Sequence, residues 1–384
     1  MTKFISAMAA LAMVCSLASC GASTSSSQSE PESKPSDTNK TIGIAMPTQD
    51  LERWNSDGEY LKKQFEDAGY NVILTYSEND SSRQNNDLIE LISKDVDLLL
   101  VAAVDGESLA KTLDGAAEKG IKVVAYDRLI MNTDAVTYYI SFDNTGVGKL
   151  QGQFVEEALD LSSTEGPYTI EFVGGDAGDN NAKYFFSGAY NYLSQYINSG
   201  KLVIKSGNNE FEKIATKDWA SANAQKNMES TLNAYYADQQ LDVALCSNDS
   251  TALGVTQAID SSYKGSNSVI VTGQDGDIEN LRNIVDGKQS MTVYKNVNDE
   301  AAVTFEVCRK ILDGEVPAAS LVDKLSVDVT YDTDSYNNGK KYIQSYLLAP
   351  YVITKDNLQL LVETGLYKWD SNKKYLESAT PAEE

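Results

Sequence analysis

The chain has 384 residues, a formal net charge of −24 and no histidine. The acidic excess argues against a nucleic-acid partner, whose phosphates require a basic surface, and against charge-driven adhesion to an anionic bilayer. The absence of histidine removes the usual general base, the partner of serine and cysteine nucleophiles, and the commonest zinc ligand. Most kinds of enzyme are therefore excluded, and only carboxylate chemistry stays open.

Residues 1–20 predict a lipoprotein signal peptide. A mostly apolar stretch from Phe4 to Ala18 is too short to span a membrane, and the chain then reads Leu-Ala-Ser up to Cys20. This ending is similar to the lipobox of bacterial lipoproteins, so Cys20 is the predicted lipidation site; a plain secretory signal is the alternative. Residues 21–40 are almost all polar or small and predict a disordered tether. We therefore expect an extracytoplasmic protein anchored by lipid to the outer face of the membrane.

From residue 41 onward, short apolar runs alternate with helical patterns, and this alternation occurs twice. The first set predicts strands over 41–46, 71–76, 96–101, 121–126 and 138–142, and helices over 57–68, 83–93 and 107–119. The second set predicts strands over 168–173, 202–205, 241–245, 269–272 and 290–294, and helices over 181–197, 220–236, 250–259 and 278–285. The predicted fold class is α/β, with two similar doubly wound parallel-sheet lobes and a ligand in the cleft between their carboxyl edges.

Polar and aromatic residues collect where the predicted strands end or just beyond. They are Arg53, Trp54, Asp127, Arg128, Asn144, Asp179, Asn181, Trp219, Asn248, Asp275 and Lys295. Asp, Asn and Arg present planar pairs of hydrogen-bonding atoms that match neighbouring hydroxyls, and tryptophan covers the apolar face of a pyranose ring. Singly, an Asp or Asn after a strand is more often a helix cap, and a tryptophan is more often core packing. The joint pattern across two lobes favours a sugar site.

The chain resembles the sugar-binding branch of the type I periplasmic-binding-protein family, which includes multiple-sugar and xylose receptors of ABC importers. The resemblance covers about residues 41–365 and is carried by the segments 41–48, 52–54, 125–128, 141–144, 179–183, 247–249, 273–275, 291–295 and 335–339. It implies that the arginines, Lys295, Asn181, Asn248 and Asp275 contact sugar hydroxyls and that Trp54 and Trp219 sandwich the ring. Asp127, Asp179 and Asn144 are weaker candidates. Asp127 and Asp179 alternatively orient an arginine or cap a helix.

The resemblance also implies how the chain is divided. Crossings near Asp143, Lys295 and Asp328 give an N-terminal lobe of 41–143 plus 295–327 and a C-terminal lobe of 144–294 plus 328–384. The implied mechanism is hinge closure on a monosaccharide, followed by delivery to an ABC permease and its ATPase, by a monomer. No cofactor and no metal is expected: the stretch 332–339 only loosely imitates a calcium loop, because its glycine comes too late and no glutamate closes it. Asp249 is assigned to helix capping.

Three other functions share some features of this sequence. A sugar-responsive repressor needs a DNA-binding segment where this chain has its signal and tether. A glycoside hydrolase would use acids such as Asp127, Asp179 and Asp275, but neighbouring cations keep such acids ionised. A receptor that presents sugar to a chemotaxis protein or sensor kinase is not distinguished from a transport receptor by sequence. Cys246 and Cys308 are expected to be buried thiols, with a disulfide between them left open.

Overall fold

The computed structural model describes residues 39–379 and contains a seven-stranded sheet formed mainly by the first part of the chain. Its first five strands are β1 (Thr41–Met46), β2 (Asn71–Tyr76), β3 (Leu98–Val101), β4 (Lys122–Tyr126) and β5 (Val136–Phe142), connected in part by α1 (Glu52–Asp67), α2 (Ser81–Ser93) and α3 (Ala110–Glu118). These strands are parallel, in the order β5-β4-β3-β1-β2. Their side chains are largely buried on both faces, as expected of a sheet covered by helices on each side.

A second, four-stranded parallel sheet follows in the chain. The order of elements is α4 (Asn144–Ala158), β6 (Tyr168–Val173), α5 (Asn180–Asn198), β7 (Leu202–Val203), α6 (Phe211–Ile214), α7 (Ser221–Tyr235), β8 (Val243–Cys246), α8 (Asp249–Ser262), β9 (Ile270–Val271), α9 (Ile278–Asp286) and β10 (Thr292–Tyr294). The sheet has the order β7-β6-β8-β9. The α/β fold with two parallel sheets is thereby confirmed.

The last part of the chain returns to the first sheet and then forms a two-stranded sheet with β10. Its elements are α10 (Val297–Leu312), β11 (Val329–Asp332), β12 (Gln344–Leu348), β13 (Tyr351–Ile353), α11 (Gln359–Glu363), β14 (Tyr367–Trp369) and β15 (Leu376–Ser378). Strand β12 runs parallel to β5, and β11 pairs with β12. The prediction that 328–384 belongs wholly with the second sheet is therefore wrong for residues 329–348. The chain leaves the first sheet at Ala349 and Pro350, after which β13 pairs with β10.

The two sheets have separate hydrophobic cores. Helices α1 and α10 pack together under the first sheet, where Phe65 and Phe305 lie 5.2 Å apart between ring centroids. Helices α4 and α5 approach backbone to backbone under the second sheet, since a Cβ atom on Gly148 would lie 1.9 Å from the carbonyl oxygen of Phe185. Cys246 and Cys308 are buried free thiols in different cores. Within residues 39–379, no helix is both long and apolar enough to cross a membrane.

Candidate ligand-binding cleft

The loops at the carboxyl ends of the two sheets enclose a cleft that brings together every predicted site residue except Asn144. The lining consists of Leu51, Arg53, Trp54, Asp127, Arg128, Asp179, Asn181, Phe185, Trp219, Asn248, Gln274, Asp275 and Lys295. Parallel strands deliver their following loops to one edge of a sheet, which explains why residues far apart in sequence converge here. We call the residues that precede Asn144 the first wall and those from Asp179 to Asp275 the second wall. Lys295 lies between the walls, directly after β10.

Arg53 is the central cation of the first wall. It lies in the first turn of α1, whereas the sequence predicted a loop at this position and a helix only from residue 57. Its Nη1 atom is 3.0 Å from Asp127 Oδ2 and 3.9 Å from Asp275 Oδ1, which belongs to the second wall. Its Nη2 atom donates to Asp57 at 2.8 Å and to Glu300 at 3.3 Å. Burial alone would lower the pKa of Arg53, but these carboxylates raise it well above its usual value. The guanidinium is therefore always charged and is held from several sides.

Asp127 connects Arg53 to Lys295. Its Oδ2 atom is 3.3 Å from Lys295 Nζ as well as 3.0 Å from Arg53. Burial would raise the pKa of the Asp127 carboxyl, but Arg53 and Lys295 outweigh that effect and lower it to about 2. The backbone of Asp127 has a φ of 54°, unusual for a residue other than glycine. Of the two roles predicted for Asp127, the contacts fit the one that orients an arginine.

The backbone carbonyl of Asp127 fixes that conformation. It accepts hydrogen bonds from the Tyr139 hydroxyl at 2.6 Å, the Ser141 hydroxyl at 2.8 Å and Asn181 Nδ2 at 2.7 Å. Because Asn181 belongs to α5 of the second wall, one of the three donors crosses the cleft. A residue in left-handed backbone conformation persists only where its surroundings over-determine it, and here they do.

Arg128 and Asp179 form a second contact between the walls. Arg128 Nε lies 2.9 Å from Asp179 Oδ2, and Nη1 donates to the carbonyl of Ala103 at 2.9 Å. Asp179 also accepts from the backbone N–H of Asn181 at 2.9 Å and so caps α5. Burial raises the pKa of Asp179 even with Arg128 beside it. Both alternatives for Asp179, orienting an arginine and capping a helix, therefore hold in the structure.

The two tryptophans lie on opposite walls and are almost fully buried. Trp54 faces the cations of its own wall: the guanidinium carbon atoms of Arg53 and Arg128 are 4.3 and 5.0 Å from its ring centroid. Such cation–π contacts are attractive and fix the plane of the indole. Neither indole Nε1–H has a hydrogen-bond partner among the described residues. Each tryptophan thus offers a donor and a flat apolar face at the cleft.

The position of the Trp219 indole ring requires a glycine at position 175, because the ring lies directly against that backbone. A Cβ atom on Gly175 would lie 1.9 Å from the indole ring, so only glycine leaves the ring its place. Asp218 and Trp219 both have positive φ angles, of 59° and 57°. This turn is held by Asp176, which accepts from the N–H of Asp218 at 2.6 Å, and by Ser250, which donates to the Trp219 carbonyl at 2.7 Å.

Asn248, not Asp249, is the cap of α8. The Asn248 side chain accepts from the N–H of Thr251 in a reciprocal capping box, while its Nδ2 is 3.4 Å from Asp275 Oδ2. The capping role predicted for Asp249 is wrong, because its carboxylate points the other way. Asp249 accepts from the N–H groups of Gly276 and Asp277, both at 2.9 Å, and from Gln289 at 2.8 Å. It therefore supports the loop that carries Asp275, and burial raises its own pKa to about 7.

Asn144 is the predicted site residue that lies away from the cleft. Its amide donates to the hydroxyls of Tyr139 at 3.1 Å and Ser141 at 3.2 Å, the same two hydroxyls that bond the Asp127 carbonyl. Asn144 lies at the start of α4, behind β5, and therefore supports the first wall through these two hydroxyls. The prediction of direct ligand contact is not supported by this position.

Sequence reasoning missed two groups of residues. Leu51, Phe185 and Gln274 line the cleft, and the Phe185 ring centroid is 5.7 Å from Lys295 Nζ. Asp57 and Glu300 lie outside the cleft but bond Arg53 from behind. The spacing of four residues between Arg53 and Asp57 on one helix is the sequence pattern that could have indicated their ion pair. No sequence signal connects Glu300 to Arg53, since the two are 247 residues apart.

Several buried polar atoms of the cleft have no hydrogen-bond partner within the described part of the chain. They are Arg53 Nε, Trp54 Nε1, Trp219 Nε1, Gln274 Oε1 and Asp275 Oδ1, the last of which has only long ion pairs. Buried polar groups without partners are rare and costly. The set contains both donors and acceptors, so the lining offers unpaired hydrogen-bonding atoms of both kinds to a polar ligand.

Comparison with known proteins gives a consistent result. Residues 42–316 match the model of the family described as "Periplasmic binding protein domain". The chain is 40% identical to the multiple sugar-binding periplasmic receptor ChvE of Rhizobium radiobacter, over 87% of this chain and 92% of that protein. It is 33% identical to the D-xylose-binding periplasmic protein of Escherichia coli K12, over 85% of this chain and 91% of that protein.

Solved structures agree with these sequence relatives. An ABC transporter solute-binding protein from Clostridium phytofermentans with bound β-D-glucose has a TM-score of 0.81 and 45% identity, covering 87% of this chain and 99% of that one. A carbohydrate transporter solute-binding protein from Chloroflexus aurantiacus in complex with D-glucose has a TM-score of 0.75 and 30% identity, covering 87% and 98%. Both likenesses extend across the two sheets and the cleft.

Proposed function

The chain belongs to the periplasmic binding protein domain family, as a sugar-binding receptor of an ABC transporter, and from that premise we propose that it captures a monosaccharide in the cleft between its two sheets and delivers it to the permease. The expected ligands are aldopyranoses such as glucose, galactose, xylose and arabinose. This membership confirms the resemblance seen in the sequence. The observation that carries the proposal is a cleft with a tryptophan and unpaired polar atoms on each wall.

The proposed binding chemistry consists of hydrogen bonds alone. Arginine, asparagine and aspartate present atom pairs that span neighbouring hydroxyls, and bonds to charged groups are stronger than neutral ones. The indoles of Trp54 and Trp219 would cover the two faces of the ring. Asp127 is ionised and held by Arg53 and Lys295, so it is poorly suited to act as a general acid. We propose that no bond of the sugar is broken.

We further propose that the two sheets are the cores of two lobes that close on the sugar. The chain passes between them at Asp143, at Lys295, and at Ala349 and Pro350, where β12 of one sheet leads into β13 beside the other. Three short adjacent connections form a hinge of the kind that permits closure. The cross-cleft contacts Arg128–Asp179 and Asn181–Asp127 belong to the closed arrangement.

The test is a thermal-shift screen over about twenty neutral monosaccharides, because a ligand that binds only the native state raises the unfolding temperature by mass action. We expect a large shift for at least one aldopyranose, confirmed by calorimetry. Recovery of the sugar unchanged after prolonged incubation distinguishes a receptor from a hydrolase. Absence of any shift, or a converted sugar, would contradict the proposal.

Lipid anchoring is the remaining part of the proposal. Cys20 and the segments 1–20 and 21–38 lie outside the described residues, and what supports the anchor is the sequence ending Leu-Ala-Ser-Cys followed by a polar stretch. We expect Cys20→Ala to release the protein from membranes while sugar binding persists, because the lipid supplies the membrane affinity. Membrane fractionation after a high-salt wash measures this. A variant that stays on the membrane would overturn the anchor.

A further inference from the structure

Behind Arg53 lies a pair of carboxylates that does not touch the cleft. Asp57 on α1 and Glu300 on α10 are fully buried and both accept from Arg53 Nη2, at 2.8 and 3.3 Å. Neither residue lines the cleft. One oxygen of each, Asp57 Oδ1 and Glu300 Oε1, has no hydrogen-bond partner in the described structure. The pair therefore acts on the site only through Arg53.

The charges around Arg53 do not balance if every carboxylate is ionised. Asp57, Asp127, Asp275 and Glu300 lie within 4 Å of its guanidinium, and Lys295 is the second cation in contact with this group. Two cations against four carboxylates would leave an uncompensated negative charge in a buried place, which is strongly unfavourable. A bound proton removes part of that cost.

Geometry indicates which carboxylate holds the proton. Asp127 has two cations against it and stays ionised. Burial raises the pKa of Asp57 as well, but Asp57 makes the shorter bond to Arg53, which favours its charged form over that of Glu300. Glu300 makes the longer bond, and burial followed by repulsion from Asp127 raises its pKa well above the usual value. The Tyr126 hydroxyl belongs to the same buried group and also has no hydrogen-bond partner between residues 39 and 379. The groups facing Glu300 are thus Arg53, Asp57, Asp127, Tyr126 and Lys295.

We propose that Glu300 is a positioning residue for sugar binding, which acts in its neutral, protonated form to hold the Arg53 guanidinium at the angle required by the ligand. With Nη2 held by Asp57 and Glu300, Nε has no protein partner and Nη1 faces Asp127. The inference rests on the proposed function, since it requires that Arg53 contact a sugar. It adds a residue of α10 that lies 247 residues from Arg53 in sequence.

The experiment measures D-glucose binding by calorimetry for the wild type, Glu300→Gln and Glu300→Ala. Glutamine has the shape of a neutral carboxyl group, so Glu300→Gln should retain an affinity within about threefold at pH 7. Glu300→Ala leaves Arg53 without one of its supports and should weaken binding by about tenfold or more. The control is Glu306→Gln, which lies on the same helix in a half-exposed ion pair with Arg309 and should change nothing.

The pH dependence separates this role from a merely structural one. Glu300 loses its proton as the pH rises through its raised pKa, so wild-type affinity should fall with increasing pH, and Glu300→Gln should lack that fall. Infrared difference spectra should show a protonated carboxyl band at neutral pH that is missing in Glu300→Gln. This band needs no ligand and remains informative if Glu300→Ala does not fold.

Equal loss of affinity in Glu300→Gln and Glu300→Ala at pH 7 would overturn the proposal, because it would mean that the negative charge is required. Absence of the infrared band would overturn it as well. A wild-type protein that binds no aldose at all would instead overturn the proposed function, whether or not the band is present.

Discussion

The two walls of the cleft are built differently. The first wall contains Arg53 and Arg128, and Arg53 is held by buried carboxylates of its own side. The second wall contains no cation among its lining residues, and Asp275 has only long contacts, at 3.4 Å to Asn248 and 3.7 Å to Lys295. This difference indicates that the charged groups of the first wall stabilise the fold as well as the site. The carboxylate of Asp275, by contrast, is available to a ligand.

The largest expected effect is that of Arg53→Leu. It leaves Asp57 and Asp127 buried without their guanidinium partner, so the free energy of unfolding should fall by about 3–5 kcal/mol, together with loss of sugar binding. Denaturant unfolding at neutral pH measures this. Lys63→Ala on the same helix is the control, because its ion pair with Asp67 is exposed to solvent and should leave stability nearly unchanged. Equal stability of the two variants would mean that the first wall does not depend on its charges for folding.

In the second wall, Asp275→Ala should lower the affinity for sugar more than it lowers the stability of the fold. We expect it to weaken sugar binding by about 2–4 kcal/mol while stability changes less, because the carboxylate has few protein partners to leave unpaired. Asp249→Ala should do the reverse, since it removes the acceptor of two backbone N–H groups that hold the loop of Asp275. Calorimetry and thermal unfolding of both variants check this. The assignment of Asp275 to ligand binding would be contradicted if Asp249→Ala weakened sugar binding more than Asp275→Ala. It would also be contradicted if Asp275→Ala lowered stability more than Asp249→Ala.

Substitutions of the two cleft tryptophans test whether sugar binding brings the two walls together. Trp54→Ala should weaken binding by roughly 1–3 kcal/mol, as for other stacked aromatic contacts. Saturating sugar should change the intrinsic fluorescence and shrink the radius of gyration in solution scattering. Trp54→Phe and Trp219→Phe should each reduce the fluorescence change. Trp369→Phe is the control, because Trp369 lies in β14, where its Nε1–H donates to Gln359 of α11, and it does not line the cleft. An unchanged scattering curve with a bound sugar would argue against closure.

The smallest expected effect is that of Asn144→Ala on binding. Asn144 supports the Tyr139 and Ser141 hydroxyls, so we expect a loss of about 1 kcal/mol in stability and little change in affinity. Asn181→Ala is the comparison, because its amide lies in the cleft and crosses it. If Asn144→Ala weakened sugar binding as much as Asn181→Ala, the direct contact predicted from sequence would have to be reinstated.

The sequence predicted the sheets and most of the cleft because both depend on local patterns. Apolar strands followed by polar residues place Asp127, Asp275 and Lys295 at the carboxyl ends of their strands, whatever the details of packing. The side chain that caps α8 was misassigned because Asn248 and Asp249 both fit a cap, and only the three-dimensional positions of Gly276 and Gln289 decide between them. Strand β12 was misplaced because its apolar pattern does not specify which sheet it joins.

Gly175 and Trp219 make the ligand range of this cleft difficult to alter one substitution at a time. Any other residue at 175 would meet the indole, since a Cβ atom there would lie 1.9 Å from the ring. A smaller residue at 219 removes that obstacle but also removes the ring that we propose stacks on the sugar. The two positions are therefore epistatic: a mutational path to a cleft of different width must pass through an intermediate that binds poorly, or must change both residues together.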